Sequence, residues 1–149
     1  YPTIAGSGRN AATLHYEKND ARCFADDLVL VDAGAEFKGY TADITRTFPS
    51  GGKFEARRAA IYEAVLDVQN SSIKEMTPNT QYRLVQELAK KRTAQLLIDL
   101  GLVNGNAEDA TNVGIVSLFM PHALGHLLGL QVRIARFPNP DTLFADCPE

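Results

Sequence analysis

The chain has 149 residues, of which 45% are apolar and 22% charged, an ordinary length and composition for one globular domain. Its net charge of −3 and isoelectric point near 5.6 give no electrostatic basis for binding nucleic acid or an anionic membrane. No apolar run approaches the roughly 18 residues of a membrane span, so we expect neither partner.

The first residue and the two cysteines suggest a cytoplasmic piece of a longer protein. The chain opens with Tyr1 rather than Met, and no basic-then-apolar signal segment follows. Cys23 and Cys147 lie far apart, so a disulfide framework is not expected and a reducing cytoplasm fits better. Cys23, beside Phe24, is expected to be a small buried apolar residue.

The first third of the chain predicts two paired strands. Residues 28–32 are rich in leucine and valine and predict a strand, whereas the alternation at 14–16 predicts only a short one. The small residues 33–35 permit a close backbone approach. A turn at Lys38-Gly39 and the alternation from 40 to 48 then predict a return strand, so the two long strands could form a hairpin.

Two helices follow. Residues 54–76 carry apolar side chains at helical spacing, and the Thr-Pro-Asn sequence at 77–79 ends that pattern. Thr80 can cap a second helix, for which Gly101 provides a stop. The apolar stretch 113–120 is predicted to be strand-like.

These elements predict the α+β class, with helices on one face of a curved antiparallel sheet. Residues 1–132 form the organised part of the chain. Residues 133–149 hold three of the seven prolines and show no periodicity, so we expect an irregular tail.

Asp32 and Asp43 are the first candidate site. They lie on the two strands of the predicted hairpin, and facing residues of antiparallel strands are about 4.5–5.5 Å apart. Two carboxylates at that distance repel each other, and a cation between them would remove the repulsion. Carboxylate pairs hold two metal ions in many hydrolytic sites. Two separate surface aspartates near turns explain the spacing equally well.

His122 and His126 are the second candidate site. Their spacing resembles two ligands on one helical face, but Pro121 before them and Gly125 between them argue against a helical zinc site. Taken alone, each is better explained as a hydrogen-bonded, partly buried histidine. Their apolar surroundings nevertheless require a specific partner, which a metal ion or a substrate could supply.

Two further residues have weaker claims. His15 lies between Leu14 and Tyr16, where a structural role is the default interpretation. Thr45 follows Asp43 and could hydrogen-bond a ligating carboxylate, although a solvated strand edge explains it almost as well. The chain has no Gly-x-Ser-x-Gly nucleophile motif and no Cys-x-x-Cys zinc motif.

Three separated segments together resemble the pita-bread metallopeptidases, and prolidase-like and Xaa-Pro aminopeptidase-like enzymes most closely. The first contains GSG at 6–8 and LHY at 14–16. The second is VDAGAEFKGYTADITRTFPSGGKF at 31–54, and the third is FMPHALGHLLGLQV at 119–132. The resemblance covers residues 1–132 in the order and with the gaps of that family.

The resemblance implies a partial pita-bread fold and metal-dependent hydrolysis of Xaa-Pro bonds in peptides or dipeptides. Family members bind two divalent ions, typically manganese, through two aspartates, one histidine and two glutamates, and are often homodimers. Asp32 and Asp43 match the two aspartates, Asp43 as the bridging one, and His126 matches the histidine ligand. His122 matches a catalytic histidine that contacts substrate, and His15 matches a residue lining the substrate pocket.

The end of the chain departs from the family pattern. Both glutamate ligands come from later family sequence, and Glu149 has no matching context. Arg133 stands where the family has a second catalytic histidine, and a cationic guanidinium cannot shuttle protons at neutral pH. We therefore expect weak binding of one metal ion and impaired turnover. The alternatives are an inactive metallopeptidase-like fragment or peptide-binding relic, and a creatinase-like hydrolase without metal, which the retained ligands disfavour.

Overall fold

The computed structural model describes residues 1–130 and residue 132. They form two compact units, one of residues 1–59 with 127–130 and 132, the other of residues 60–126. The strands lie in the first unit and the helices lie mainly in the second, which confirms the predicted α+β class. No helix of the described part is both long enough and apolar enough to cross a membrane.

The first unit is built on a three-stranded antiparallel sheet and a two-stranded hairpin. The sheet has the order β1, β2, β5, formed by β1 (Ile4–Ser7), β2 (Leu28–Ala33) and β5 (Ile44–Pro49). The hairpin joins β3 (Glu36–Phe37) to β4 (Tyr40–Thr41). The predicted pairing of the two long strands is confirmed, but the return strand is interrupted after Thr41 and resumes at Ile44.

The connection between β2 and β5 depends on two turns of the backbone. Lys38 and Gly39 have φ of 53° and 86°, which confirms the predicted turn and gives the tight reversal that short hairpins favour. A Cβ on Gly34 would lie 2.1 Å from the Ala42 carbonyl oxygen, so only glycine fits. The predicted close approach of the small residues is therefore confirmed, and it holds the chain before Asp43 against the end of β2.

The segment between β1 and β2 differs from the prediction. The strand predicted at 14–16 is wrong, because Leu14 and His15 lie in a turn after a 3-10 helix at Gly8–Ala12. The neighbouring edge of β1 is occupied by a side chain instead of a strand. The Asn19 amide accepts from Ala5 N–H at 2.6 Å and donates to the Thr3 carbonyl at 2.8 Å.

The second unit contains the helices. They are α1 (Ala56–Glu75), which begins in the first unit, α2 (Tyr82–Asp99) and α3 (Ala107–Asn112). The two predicted helices are confirmed, as is the stop at Gly101, whose φ is 68°. There the Gly101 amide donates to the Ile98 carbonyl at 2.8 Å and the Leu102 amide donates to the Leu97 carbonyl at 2.9 Å. This pair of hydrogen bonds ends many helices.

The start of α2 and the stretch 113–120 correct two further predictions. Thr80 is not the cap of α2, because its hydroxyl oxygen lies 2.8 Å from that of Thr77 within the preceding turn. The stretch 113–120 forms a 3-10 helix at Ile115–Leu118 rather than a strand. Its Val116 joins the core of the second unit, which comprises Ala94, Leu97, Val103, Ala107, Ala110 and Val116. The predicted irregular tail at 133–149 lies outside the described residues.

Candidate metal centre

The two candidate carboxylates are positioned by the pairing of β2 with β5. Asp32 is the fifth of the six residues of β2, and its partner across the ladder is Thr45 in β5. Asp43 immediately precedes β5 and follows Ala42, whose carbonyl oxygen lies against Gly34. Both aspartates are half-buried. The strand register and the close approach at Gly34 therefore bring two acidic residues to the same end of the sheet.

The carboxylates of Asp32 and Asp43 converge on one atom. The Tyr1 hydroxyl lies 2.7 Å from Asp32 Oδ1 and 2.9 Å from Asp43 Oδ1. Of the two interpretations left open by the sequence, the structure therefore shows close side chains, but they are not facing ladder partners, because Asp32 faces Thr45. Their role as ligands stays a prediction. The sequence reasoning missed Tyr1. Only the pairing of β1 with β2 could have indicated this position. In that pairing Ile4 faces Asp32, which brings the residues before Ile4 towards the acidic pair.

One hydroxyl group contacts both carboxylates at this point. A phenol carries one proton and can donate it to only one of two ionised carboxylates at a time. Desolvation, followed by hydrogen bonds to Asp32 and Asp43, raises the pKa of Tyr1, so the hydroxyl remains protonated. Hard divalent cations prefer oxygen ligands of this kind. The donor set therefore fits a divalent cation bound between the two carboxylates.

The two histidines lie together in an irregular segment of the second unit. His122 and His126 are exposed, so the partly buried histidines expected by default are not found. The absence of a helix at this segment agrees with the rejection of a helical zinc site. His122 Nδ1 lies 2.8 Å from the Ala123 carbonyl oxygen, and a carbonyl can only accept. The Nδ1 atom therefore carries a hydrogen, which leaves the lone pair of the neutral ring on Nε2.

The two remaining candidates, His15 and Thr45, both lie at the surface. His15 is exposed in its turn, and Thr45 is exposed on β5 beside Asp32. Within residues 1–130 and 132, no three His, Cys, Asp or Glu side chains form a group that could hold a metal ion. The metal roles of Asp32, Asp43 and His126 and the substrate roles of His15 and His122 stay predictions. The expectation that Cys23 is buried is wrong, because its free thiol is exposed.

Comparison with known families defines the class of protein to which this fold and its converging carboxylates belong. The sequence pattern of metallopeptidase family M24 matches residues 1–145. The chain therefore belongs to metallopeptidase family M24, a family whose members use divalent metal ions.

Curated relatives support this membership. A probable Xaa-Pro aminopeptidase of Pyrenophora teres f. teres (strain 0-1) is 40% identical over 148 residues, which cover 97% of this chain and 32% of the relative. A probable Xaa-Pro aminopeptidase of Verticillium alfalfae is 44% identical over 140 residues, covering 93% of this chain and 30% of the relative. The chain thus spans about a third of the length of these relatives.

Solved structures confirm the fold. Zinc-substituted Escherichia coli aminopeptidase P in complex with product matches with a TM-score of 0.86 and 39% identity, covering 89% of this chain and 30% of that one. The E. coli enzyme with the inhibitor Pro-Leu matches with the same TM-score, identity and coverage. The predicted partial pita-bread fold is therefore confirmed.

Proposed function

We propose that this chain contributes to the metal-dependent hydrolysis of Xaa-Pro peptide bonds. The observation that carries the proposal is the convergence of the Asp32 and Asp43 carboxylates on one point, where a single phenolic proton is shared between two acceptors. Two carboxylates held this close repel each other, and a cation between them would remove that repulsion. The Xaa-Pro specificity is proposed from the names of the relatives.

Each candidate residue has a distinct part in this proposal. Asp32 and Asp43 would hold the divalent cation through oxygen, Asp43 in the place of the family's bridging aspartate, and His126 would add an imidazole nitrogen. A divalent ion held there, for which we propose manganese, would lower the pKa of bound water and polarise the substrate carbonyl. Thr45, which faces Asp32 across the ladder, orients that carboxylate.

His122 is proposed to handle the proton of the leaving proline nitrogen. Its Nδ1 hydrogen is engaged by the Ala123 carbonyl, so Nε2 is the atom that can accept a proton and deliver it to a departing amine. The exposed ring of His15 is proposed to contact the peptide substrate. A cleaved Xaa-Pro bond needs such a donor, because the imide nitrogen is a poor leaving group unless it is protonated.

Manganese binding and peptide hydrolysis test this function directly. Calorimetric titration of the chain with Mn²⁺ is expected to show binding that Asp43→Ala weakens by more than about 100-fold, the upper range for a residue that only supports a ligand. Asp20→Ala is the matched control, because Asp20 is an exposed carboxylate of the same unit that accepts a hydrogen bond from the Tyr16 hydroxyl. It should leave binding unchanged.

Hydrolysis of Ala-Pro and of a longer Xaa-Pro peptide in Mn²⁺ then separates the enzyme from a binding module. Turnover that Asp43→Ala abolishes supports the proposal, and the ratio of the two substrates shows which length is preferred. Metal binding without turnover would reduce this chain to an inactive peptide- or metal-binding fragment. Unaltered Mn²⁺ affinity in Asp43→Ala would contradict the proposed site.

The resemblance supports two broader proposals, a homodimeric assembly and a cytoplasmic location. The free thiol of Cys23 is consistent with a reducing compartment. Light scattering would test the first proposal and cell fractionation the second.

A further inference from the structure

Helix α2 contacts the short segment between the two candidate histidines. The Gln86 Oε1 atom accepts a hydrogen bond from the Leu124 amide at 2.6 Å. A Cβ built on Gly125 would lie 3.0 Å from the Tyr82 hydroxyl oxygen, so this hydroxyl sits directly against the Gly125 backbone. Tyr82 and Gln86 are one helical turn apart and therefore lie on one face of α2. Two adjacent polar side chains thus meet two adjacent backbone positions.

Both side chains that make these contacts are partly shielded from water. Gln86 and Tyr82 are both half-buried, and the Tyr82 oxygen is buried without a hydrogen-bond partner in the part of the chain that the structure describes. Burial raises the pKa of Tyr82, while the nearby Gly125 amide opposes that shift without reaching hydrogen-bond geometry. The phenol oxygen packs closely against Gly125 and leaves little room there for a side chain.

We propose that Tyr82 and Gln86 are positioning residues that set the backbone between His122 and His126. The segment 121–126 is irregular and has no helix or strand to define its path. A side-chain acceptor for the Leu124 amide and a hydroxyl against Gly125 replace that missing support. The significance for catalysis rests on the proposed function, because the roles of His122 and His126 belong to that proposal.

Hydrogen exchange of the Leu124 amide tests the positioning in the metal-free chain. Gln86→Met removes the acceptor while keeping the side-chain length, and should speed exchange of this amide roughly two- to tenfold, as expected for one net hydrogen bond. Gln86→Glu keeps an acceptor and should preserve the protection. Gln95→Met is the matched control on the same helix, because Gln95 bonds Asp99 instead. Wild-type exchange of Leu124 in Gln86→Met would overturn the proposal.

A pair of substitutions tests the contact at Gly125. Gly125→Ala places a methyl group against the Tyr82 hydroxyl and should shift the ring resonances of His122 and His126. Tyr82→Phe removes that oxygen, so the double variant should return the resonances towards their wild-type positions. Shifts that persist unchanged in the double variant would overturn the role of Tyr82.

Manganese affinity connects the positioning to the proposed centre. Gln86→Met should weaken Mn²⁺ binding about tenfold, at the lower end of the effect of residues that orient ligands, and Gln95→Met should not. Wild-type affinity in Gln86→Met would overturn the link between the segment and the metal. If the unmodified chain binds no Mn²⁺, the proposed function fails, while the exchange of Leu124 still decides whether Gln86 positions the segment.

Discussion

The acidic pair and the histidine segment are held in place by different kinds of structure. Asp32 and Asp43 depend on the backbone, through the register of β2 with β5 and the approach at Gly34. The segment of His122 and His126 depends on side chains of α2 that reach irregular backbone. A ladder fixes many positions at once, whereas a few side-chain contacts fix one short path. Side-chain substitutions should therefore disturb the position of the acidic pair only where two backbones are in contact. Substitution of a single side chain on α2 should be enough to change the path of the histidine segment.

The largest effect should come from breaking the backbone approach beside the acidic pair. Gly34→Ala forces a Cβ to within 2.1 Å of the Ala42 carbonyl, so the strand connection has to shift. We expect a loss of about 3 kcal/mol in the free energy of unfolding, measured by urea denaturation. Gly129→Ala is the control, because its added Cβ meets nothing within 4 Å. Equal losses for the two variants would contradict the backbone explanation.

A smaller effect is expected where the second unit uses glycine for conformation alone. Gly101 has φ of 68°, and an added Cβ would meet nothing within 4 Å. Gly101→Ala should therefore cost about 1–2 kcal/mol of unfolding free energy, from strain without overlap. Gly101→Asn should cost less, because asparagine tolerates this conformation. If the asparagine variant is the less stable of the two in urea denaturation, the strain argument fails.

A side-chain cap gives the next comparison within the helical unit. The Asn106 side chain accepts from the Asp109 amide at 2.9 Å at the start of α3, whose Ala107 and Ala110 belong to the core. Asn106→Ala should lower the unfolding free energy by about 1 kcal/mol, and Asn106→Ser, which keeps an acceptor without placing a second carboxylate beside Asp109, should retain most of it. Asn104→Ala, in the same loop, serves as the control in thermal denaturation. A larger loss from the control would contradict the capping role.

The smallest expected effect concerns the different causes that raise the pKa of one tyrosine in each unit. A hydrogen bond to Asp20 is the main cause that raises the pKa of Tyr16, whereas burial raises that of Tyr82. In an ultraviolet titration, Asp20→Asn should lower the midpoint of Tyr16 and leave Tyr82 unchanged. A change in both would contradict the assignment.

The raised pKa of Tyr82 predicts how the stability of the fold changes with pH. The folded-state pKa of Tyr82 lies above its ordinary value of 10.0, so folding retains a proton there that the unfolded chain releases. This contribution is fully present below pH 10 and is lost as the pH rises through the raised pKa. Tyr82→Phe should therefore show a shallower decline of stability in alkali than the unmodified chain.

The sequence was informative where local pattern and backbone pairing agree. The leucine-valine strand and the Lys38-Gly39 turn predicted the strand pairing that brings Asp32 near Asp43, but they did not decide between an acidic pair and two separate surface aspartates. The sequence could not predict Tyr1 at the carboxylates, because β1 is a short strand beside a loop signal. It also could not predict that Gln86 and Tyr82 reach Leu124 and Gly125, because those contacts join residues about forty positions apart without any periodic signal.

The cation site proposed at Asp32 and Asp43 has a thermodynamic consequence. A cation that binds the folded chain and not the unfolded one stabilises it in proportion to the logarithm of its free concentration, by about 2.7 kcal/mol at 100 times the dissociation constant. The melting temperature of the strand-containing unit would then rise with the concentration of the free ion. A chelator that removes the ion would lower that melting temperature.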